Sequence, residues 1–277
     1  MKTLIERNQL SFFFLLTLVL SWYPWYAGIA PELIVFGPSL AAFITVFIVS
    51  GKSGLINFLR AFTRWRVGFT WWFVAIFGVA IIFTAGLGVH IILGGDAPPF
   101  IMIKNELGLI PLYLLIVFLP WNGPVGEEFG WRGFALPKLQ NLHGPLVASF
   151  LIGMIWGIWH LPTFFAPVGV LAALTSSIGI GFIIPYTFTT IANSIFMTWL
   201  YNKTRRSALI AGIVWHGATD FWAPIMLSDS SLKAAEHGDR LPTIAPTLYL
   251  TVAFVFVVFA IILAITTKGQ LGYIKSD

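Results

Sequence analysis

Apolar residues in this chain come in long blocks separated by short charged stretches. The blocks are Leu10–Ala30, Leu33–Ser50, Phe69–Leu93, Leu107–Pro120, Pro145–Pro167, Val170–Tyr201, Ala208–Leu227 and Thr247–Thr267. A bilayer core of about 30 Å takes about 20 apolar residues in helical form, so the pattern predicts about eight membrane-spanning helices. The fourth block is short for a span. The sixth is long and carries Gly179, Gly181 and Pro185, which predict a kink or a break. Leu10–Leu20 has the length of a signal peptide's apolar region, but no small-residue cleavage site follows it, and it reads as a retained first span. Between the second and third blocks, residues 51–68 set Leu55, Phe58, Leu59, Phe62 and Trp65 at helical spacing among basic residues. That predicts an interfacial helix on an anionic leaflet, with a plain basic loop as the alternative. Segments 95–106 and 228–245 are polar, with Pro and Gly, and read as external connections.

Composition turns this pattern into a solvent argument. Of the 277 residues, 58% are hydrophobic and 10% charged, with a mean hydropathy of +0.88. A soluble domain carries roughly 25% charged residues, so a soluble enzyme, a disordered tail and a coiled coil are all excluded. The chain has no Cys, hence no disulfide, no thiolate nucleophile, no Cys-ligated metal and no prenylation or palmitoylation site. The net charge of +5 invites a nucleic-acid reading until the charges are placed along the chain. With the N-terminus cytoplasmic, the inside segments hold Lys2, Arg7, Lys52, Arg60, Arg64, Arg66, Arg132, Lys138, Lys203, Arg205, Arg206, Lys268 and Lys275. The outside segments hold Lys104, Lys233 and Arg240, an asymmetry of thirteen to three. This satisfies the positive-inside rule, and the basic residues are explained by the bilayer without a nucleic-acid partner. The expected fold is an all-α membrane protein: one polytopic domain over residues 1–277, about eight transmembrane helices around a polar cavity, both termini cytoplasmic, in a bacterial or archaeal cell membrane.

Ionisable side chains at membrane depth are costly, and each marks a candidate site. Five fall between residues 127 and 220: Glu127, Glu128, His160, His216 and Asp220. His90, near the outer end of the third block, reads as interfacial or bonded to a carbonyl. In Gly126-Glu127-Glu128-Phe129-Gly130-Trp131-Arg132-Gly133, helical winding puts Glu128 and Arg132 at i and i+4, in range of an ion pair. Glu127 then projects about 100° away, free of that partner and available as a base. Taken alone, the segment is equally an inside loop whose acids offset Arg132 and Lys138. Pro162 is expected to end its helix just after His160, leaving the imidazole beside freed carbonyls. A core histidine bonded to one of them is the simpler reading of that motif alone. His216 and Asp220 are again i and i+4, a spacing at which the carboxylate orients the imidazole. A carboxylate and two imidazoles from different helices suit activation of water. Neither a Gly-x-Ser-x-Gly elbow nor a Gly-rich phosphate loop is present.

These three segments, in this order, resemble the CPBP family of intramembrane endopeptidases. That family includes the type II CAAX prenyl proteases and the Abi proteins linked to bacteriocin processing or self-immunity. Its pattern of Glu-Glu-x-x-x-Arg, aromatic-x-x-x-His and His-x-x-x-Asn or Asp is met by Glu127 to Arg132, Trp156 to His160 and His216 to Asp220, within roughly residues 120–225. The resemblance implies that Glu127 is the general base, His160 its partner in holding the water, and His216 with Asp220 the stabilisers of the oxyanion. Glu128 and Arg132 are implied as a supporting pair. Trp156 stands where the family usually has Phe, a change expected to be tolerated. Asp220 stands where many members have Asn. An ionised Asp cannot donate to an oxyanion, so it is expected to act on His216 unless it is protonated.

The expected activity is hydrolysis of a peptide bond in a membrane-associated peptide or protein, with no cofactor. Zinc on Glu127, His160 and His216 is the alternative, since His₂Glu with an open water position is a catalytic zinc arrangement. The cavity is expected to open on the cytoplasmic side, with Gly153, Gly157, Gly212 and Gly217 easing close packing or leaving room for substrate. Trp131, Trp156, Trp159, Trp215 and Trp222 are expected to line a groove or an interfacial belt. A non-enzymatic immunity or scaffolding protein and a proton-coupled transporter are the competing functions.

Overall fold

The computed structural model describes residues 2–119, 122–167, 169–229 and 244–274. Lys233, Arg240, Lys275 and most of the expected external loop 228–245 lie outside the described residues. Within them the chain is helical, with no strand. Helix α1 (Lys2–Arg7) leads into α2 (Gln9–Tyr26), followed by α3 (Gly37–Leu59), α4 (Phe69–Ile92), α5 (Ile101–Asn105), α6 (Ile110–Val117), α7 (Gly123–Glu128) and α8 (Leu136–His143). The second half holds α9 (Pro145–Trp159), α10 (Val170–Ile178), α11 (Ile183–Lys203), α12 (Trp215–Leu227) and α13 (Pro246–Thr266).

Five helical stretches are long and apolar enough to cross a bilayer: Gly37–Phe62, Phe69–Ile92, Pro145–Phe165, Ile180–Lys203 and Pro246–Thr266. They coincide with five of the eight blocks. The first block is helical as α2, and the seventh as a π-helical segment, Leu209–Val214, continued by α12. The sixth block breaks as its glycines predict: α10 ends at Gly179, whose φ of +93° suits glycine, and α11 starts after a 3₁₀ turn. Gly51, at φ +60°, likewise bends α3 where the second block ends. Beyond that bend, Phe58 and Phe62 pack on Phe129, so the expected interfacial segment spends part of its apolar face on protein.

The fourth block is the topological surprise. Leu107–Val117 forms a 3₁₀ turn and the two-turn helix α6, too short to span, which packs against the second half of α12 through Val117, Phe221 and Ile225. The longer run is the next one: α7, a π-helical segment Phe129–Ala135 and α8 are contiguous over Gly123–His143. At 1.5 Å per residue, an α-helix of that length reaches about 30 Å. It runs alongside α3 in the same direction, with Val125 taking a hydrogen bond from Ser39 and Gly133 lying against Phe58 and Phe62. Its end meets the start of α2, where Lys138 donates to Gln9. Glu127 and Arg132 therefore lie inside the bundle and not in a loop. The four charges in this run hide it from a search for apolar blocks.

Glycines let the helices approach. A Cβ on Gly153 of α9 would stand 2.4 Å from the Ile191 Cα of α11, and one on Gly130 would stand 2.6 Å from the Pro38 backbone. Gly157, Gly212 and Gly217 are also filled by neighbours, so these glycines serve packing and leave no substrate space. Gly153→Ala should therefore lower stability in detergent by about 1–3 kcal/mol through forced separation of α9 and α11. Gly88→Ala, whose methyl meets nothing within 4 Å, should leave the thermal midpoint level or raise it. Equal midpoints for the two variants would contradict this packing.

Candidate active site

Two stretches of backbone wound with the wide π turn flank the site: Phe129–Ala135, just after Glu127-Glu128, and Leu209–Val214, just before His216. π turns are rare and often mark functional positions. The second stretch brings Gly212 against the first, where a Cβ would lie 3.0 Å from the Glu128 Cβ. This approach lets Glu128 reach across to α12.

Glu128 is the hub. Its Oε1 accepts from Arg132 Nη1 at 3.0 Å and lies 2.9 Å from His216 Nδ1. Glu128 and Arg132 are fully buried and His216 nearly so. A buried carboxylate is tolerable only when charge and hydrogen bonds compensate it, and here a guanidinium and an imidazole share one oxygen. The guanidinium also lies over the Trp156 ring, 4.7 Å from its centroid.

Glu127, the neighbouring acid, is held by neutral donors. Trp131 Nε1 donates to its Oε2 at 3.2 Å, and Trp156 Nε1 to the same oxygen at 2.5 Å. Its other oxygen, Oε1, faces Gly123. A Cβ at Gly123 would stand 3.1 Å from that oxygen and 3.0 Å from His216 Nε2. A carboxylate oxygen and an imidazole nitrogen thus converge on one spot that only a residue without a side chain leaves clear.

His160, at the end of α9, has Nδ1 2.8 Å from the Trp156 carbonyl oxygen, the bond that the core-histidine reading anticipates. A carbonyl only accepts, so this bond puts the proton on Nδ1 and leaves Nε2 as an acceptor in the neutral ring. His160 packs on Trp159 and Tyr186 and shares with His216 and Asp220 the wall of a cavity of about 470 Å³. Asp220 Oδ2 is 3.6 Å from His216 Nε2, beyond hydrogen-bond range. The hydrogen bond to the His216 ring comes from the Glu128 side, at Nδ1, while the Asp220 expected from spacing stands at ion-pair distance on the Nε2 side.

The cavity lies at one end of the bundle. Its walls come from the end of α9, the first half of α11, one face of α12 from His216 to Leu227 and the first half of α13. The basic residues gather at the other end, where Arg64 donates to the carbonyl of Arg205, Lys138 donates to Gln9 and Arg206 lies over Tyr273. The expectation of a cavity at the basic end is corrected, because Gly123–His143 and not Leu107–Pro120 makes the run towards that end. The tryptophans are likewise mostly core. Trp131, Trp159 and Trp215 are buried, Trp222 donates to the Ile76 carbonyl, and Trp156 alone of the five lines the cavity.

The zinc alternative needs Glu127, His160 and His216 around one point. Among the described residues, the group whose ligand atoms lie within 4.8 Å of one another is Glu127, Glu128 and His216, without His160. In that group Glu128 is already bound to a buried guanidinium and His216 Nδ1 is committed to Glu128. A divalent cation held through Glu128 would have to share that carboxylate with the Arg132 guanidinium.

Three participants escaped sequence reasoning: Gly123, and the indole N–H groups of Trp131 and Trp156. The Trp131 signal was legible as the i, i+4 spacing from Glu127. That of Trp156 was the departure from Phe, which adds a donor. Arg132→Met should lower stability by about 3–5 kcal/mol, because it leaves Glu128 buried and half-compensated. Adding Glu128→Gln should recover part of that loss. Thermal unfolding in detergent checks both, and an Arg132→Met protein as stable as the parent would remove the hub.

Residues 108–222 match the family described as "Rce1-like: Type II CAAX prenyl endopeptidase Rce1-like". The matched segment includes every site residue from Gly123 to Asp220. A curated relative, CAAX prenyl protease 2 of Methanococcus maripaludis, is 26% identical over 126 residues. That alignment covers 46% of this chain and 46% of the relative, so the chain spans about half the length of the curated relative it matches. Through that central segment, the chain is similar to the CAAX protease-like intramembrane endopeptidases.

Proposed function

We propose that this chain hydrolyses a peptide bond of a membrane-associated peptide or protein with a water molecule activated by Glu127 and His216. One observation carries the reading: Glu127 Oε1 and His216 Nε2 face a common point beside Gly123, and His216 in turn lines a cavity with His160 and Asp220. A water there stands within reach of a base and of an imidazole at once. Glu127 takes the water's proton as the water oxygen attacks the carbonyl carbon, and returns it to the leaving amine when the tetrahedral intermediate collapses. The indoles of Trp131 and Trp156 hold the carboxylate by Oε2 and leave Oε1 for the water. As an imidazolium, His216 donates through Nδ1 to Glu128 and through Nε2 towards the oxyanion, where exclusion of water strengthens the bond. Asp220, on the Nε2 edge of the ring, balances that charge without needing to be a donor. His160 offers Nε2 as an acceptor for the water or for a peptide N–H.

No metal is part of this scheme, since Arg132 occupies the place beside Glu128 where its charge would compete. The supports for peptidase chemistry are the family match and the shared geometry.

Purified protein offered a membrane-proximal peptide should cleave it, and Glu127→Gln should reduce turnover by about 10²–10⁴-fold, with an unchanged thermal midpoint. A chelator should have no effect. Undiminished cleavage by Glu127→Gln would overturn the mechanism. Inhibition by chelator that added zinc reverses would restore the metal alternative. A cellular phenotype that survives joint replacement of Glu127, His160 and His216 would favour the non-enzymatic role.

A further inference from the structure

The direction in which the cavity faces is fixed by two independent observations. The first is geometric. From the level of Trp156 and His216 at mid-bundle, the cavity runs to Leu227 and Ser228 at the end of α12, to Ile244 before α13 and to Val170 at the start of α10. The second is electrostatic. Arg60, Arg64, Lys138, Lys203, Arg205 and Lys268 all sit at the opposite end of the same helices, and Lys104 is the described basic residue at the cavity's end. Basic loops stay on the cytoplasmic side during insertion. Crossing the two observations points the cavity away from the cytoplasm.

The lining narrows the ligand. Tyr186, Tyr249, Phe83, Phe256, Val252 and Leu227 make it predominantly apolar and aromatic. Among the described lining residues no Lys or Arg faces the space, Asp220 is a carboxylate, 41% exposed, and the His216 ring is already held between Glu128 and Asp220. A free C-terminal carboxylate finds no Lys or Arg there, whereas the N–H groups of an extended backbone find acceptors in the hydroxyl oxygens of Thr189 and Thr219, whose protons go to their own helix carbonyls. We infer that this site takes an extended, apolar peptide segment from the extracytoplasmic side of the membrane and cuts it at an internal bond. This inference deepens the hydrolase reading and rests on it for the cutting; the facing stands apart from it.

The absence of Cys makes the facing directly measurable, since any single cysteine introduced is the sole target of a thiol reagent. Ala223→Cys reports on the cavity wall, Asp96→Cys on the nearby end of the bundle and Lys203→Cys on the basic end. With a membrane-impermeant maleimide on intact cells, Ala223→Cys and Asp96→Cys should label, and Lys203→Cys should label only after permeabilisation. Thr189→Cys, on the facing wall, replaces Ala223→Cys if that variant fails to fold. Labelling of Lys203→Cys but not of the cavity cysteine in intact cells would overturn the inference, as would a cavity cysteine silent beside a labelled Asp96→Cys. A second arm offers an impermeant apolar decapeptide, free or tethered to a lipid, to right-side-out and inside-out vesicles. Right-side-out vesicles should cleave at least about tenfold faster, and preference for the free or the tethered form separates an exported from a membrane-held substrate. Faster cleavage by inside-out vesicles overturns the inference. Inactivity in both vesicles and in detergent counts against the hydrolase reading, while the labelling pattern still decides the facing.

Discussion

One buried oxygen organises this protein. Glu128 Oε1 holds Arg132 and His216 together in a medium where neither an isolated carboxylate nor an isolated guanidinium is affordable. Because both partners must reach it, the two π-wound stretches must touch, and Gly212 is the residue that lets them. Because Arg132 is fixed, its guanidinium settles over Trp156, whose indole N–H then fixes Glu127. The base and the imidazole are thus two ends of one chain of contacts that begins at a salt bridge. Buried among the helices, Glu128 and Arg132 have few alternative partners, and that restricts the chain of contacts to one arrangement.

The sequence carried more of this than its weak individual motifs suggest. Block length and charge placement were enough for an all-helical membrane bundle, and the break at Gly179 and the end of α9 before Pro162 followed from backbone chemistry. The i, i+4 pairing of Glu128 with Arg132 was legible because it is local. Two things were not. The run Gly123–His143 was hidden because buried polar groups that satisfy one another look, in a hydropathy pattern, like a loop. Glu128 as a second partner of His216 was out of reach because spacing reports only neighbours along one helix, such as Asp220 at 3.6 Å, and Glu128 arrives from 88 residues away. Both omissions share a cause: local pattern cannot see compensation between helices.

Moving Glu127 from a cytoplasmic loop into the bundle also inverts the relation between site and charge. The basic residues gather at one end of the bundle, while Glu127 and His216 sit at mid-bundle and the cavity leads the other way. The cavity is an apolar groove with a polar floor, which suits an apolar peptide. His160 and His216 meet that groove on either side of Trp156, so the same indole that restrains Glu127 separates the two rings.

The central claim is that the space beside Gly123 belongs to the attacking water. Gly123→Ala tests it with a single methyl group, at a helix start where alanine's backbone is unstrained and its methyl would lie about 3 Å from both Glu127 Oε1 and His216 Nε2. Steady-state kinetics on a cleavable peptide should show kcat lowered at least about tenfold with KM and the thermal midpoint unchanged. A variant that turns over as fast as the parent would mean that the water, and with it the reaction, is somewhere else.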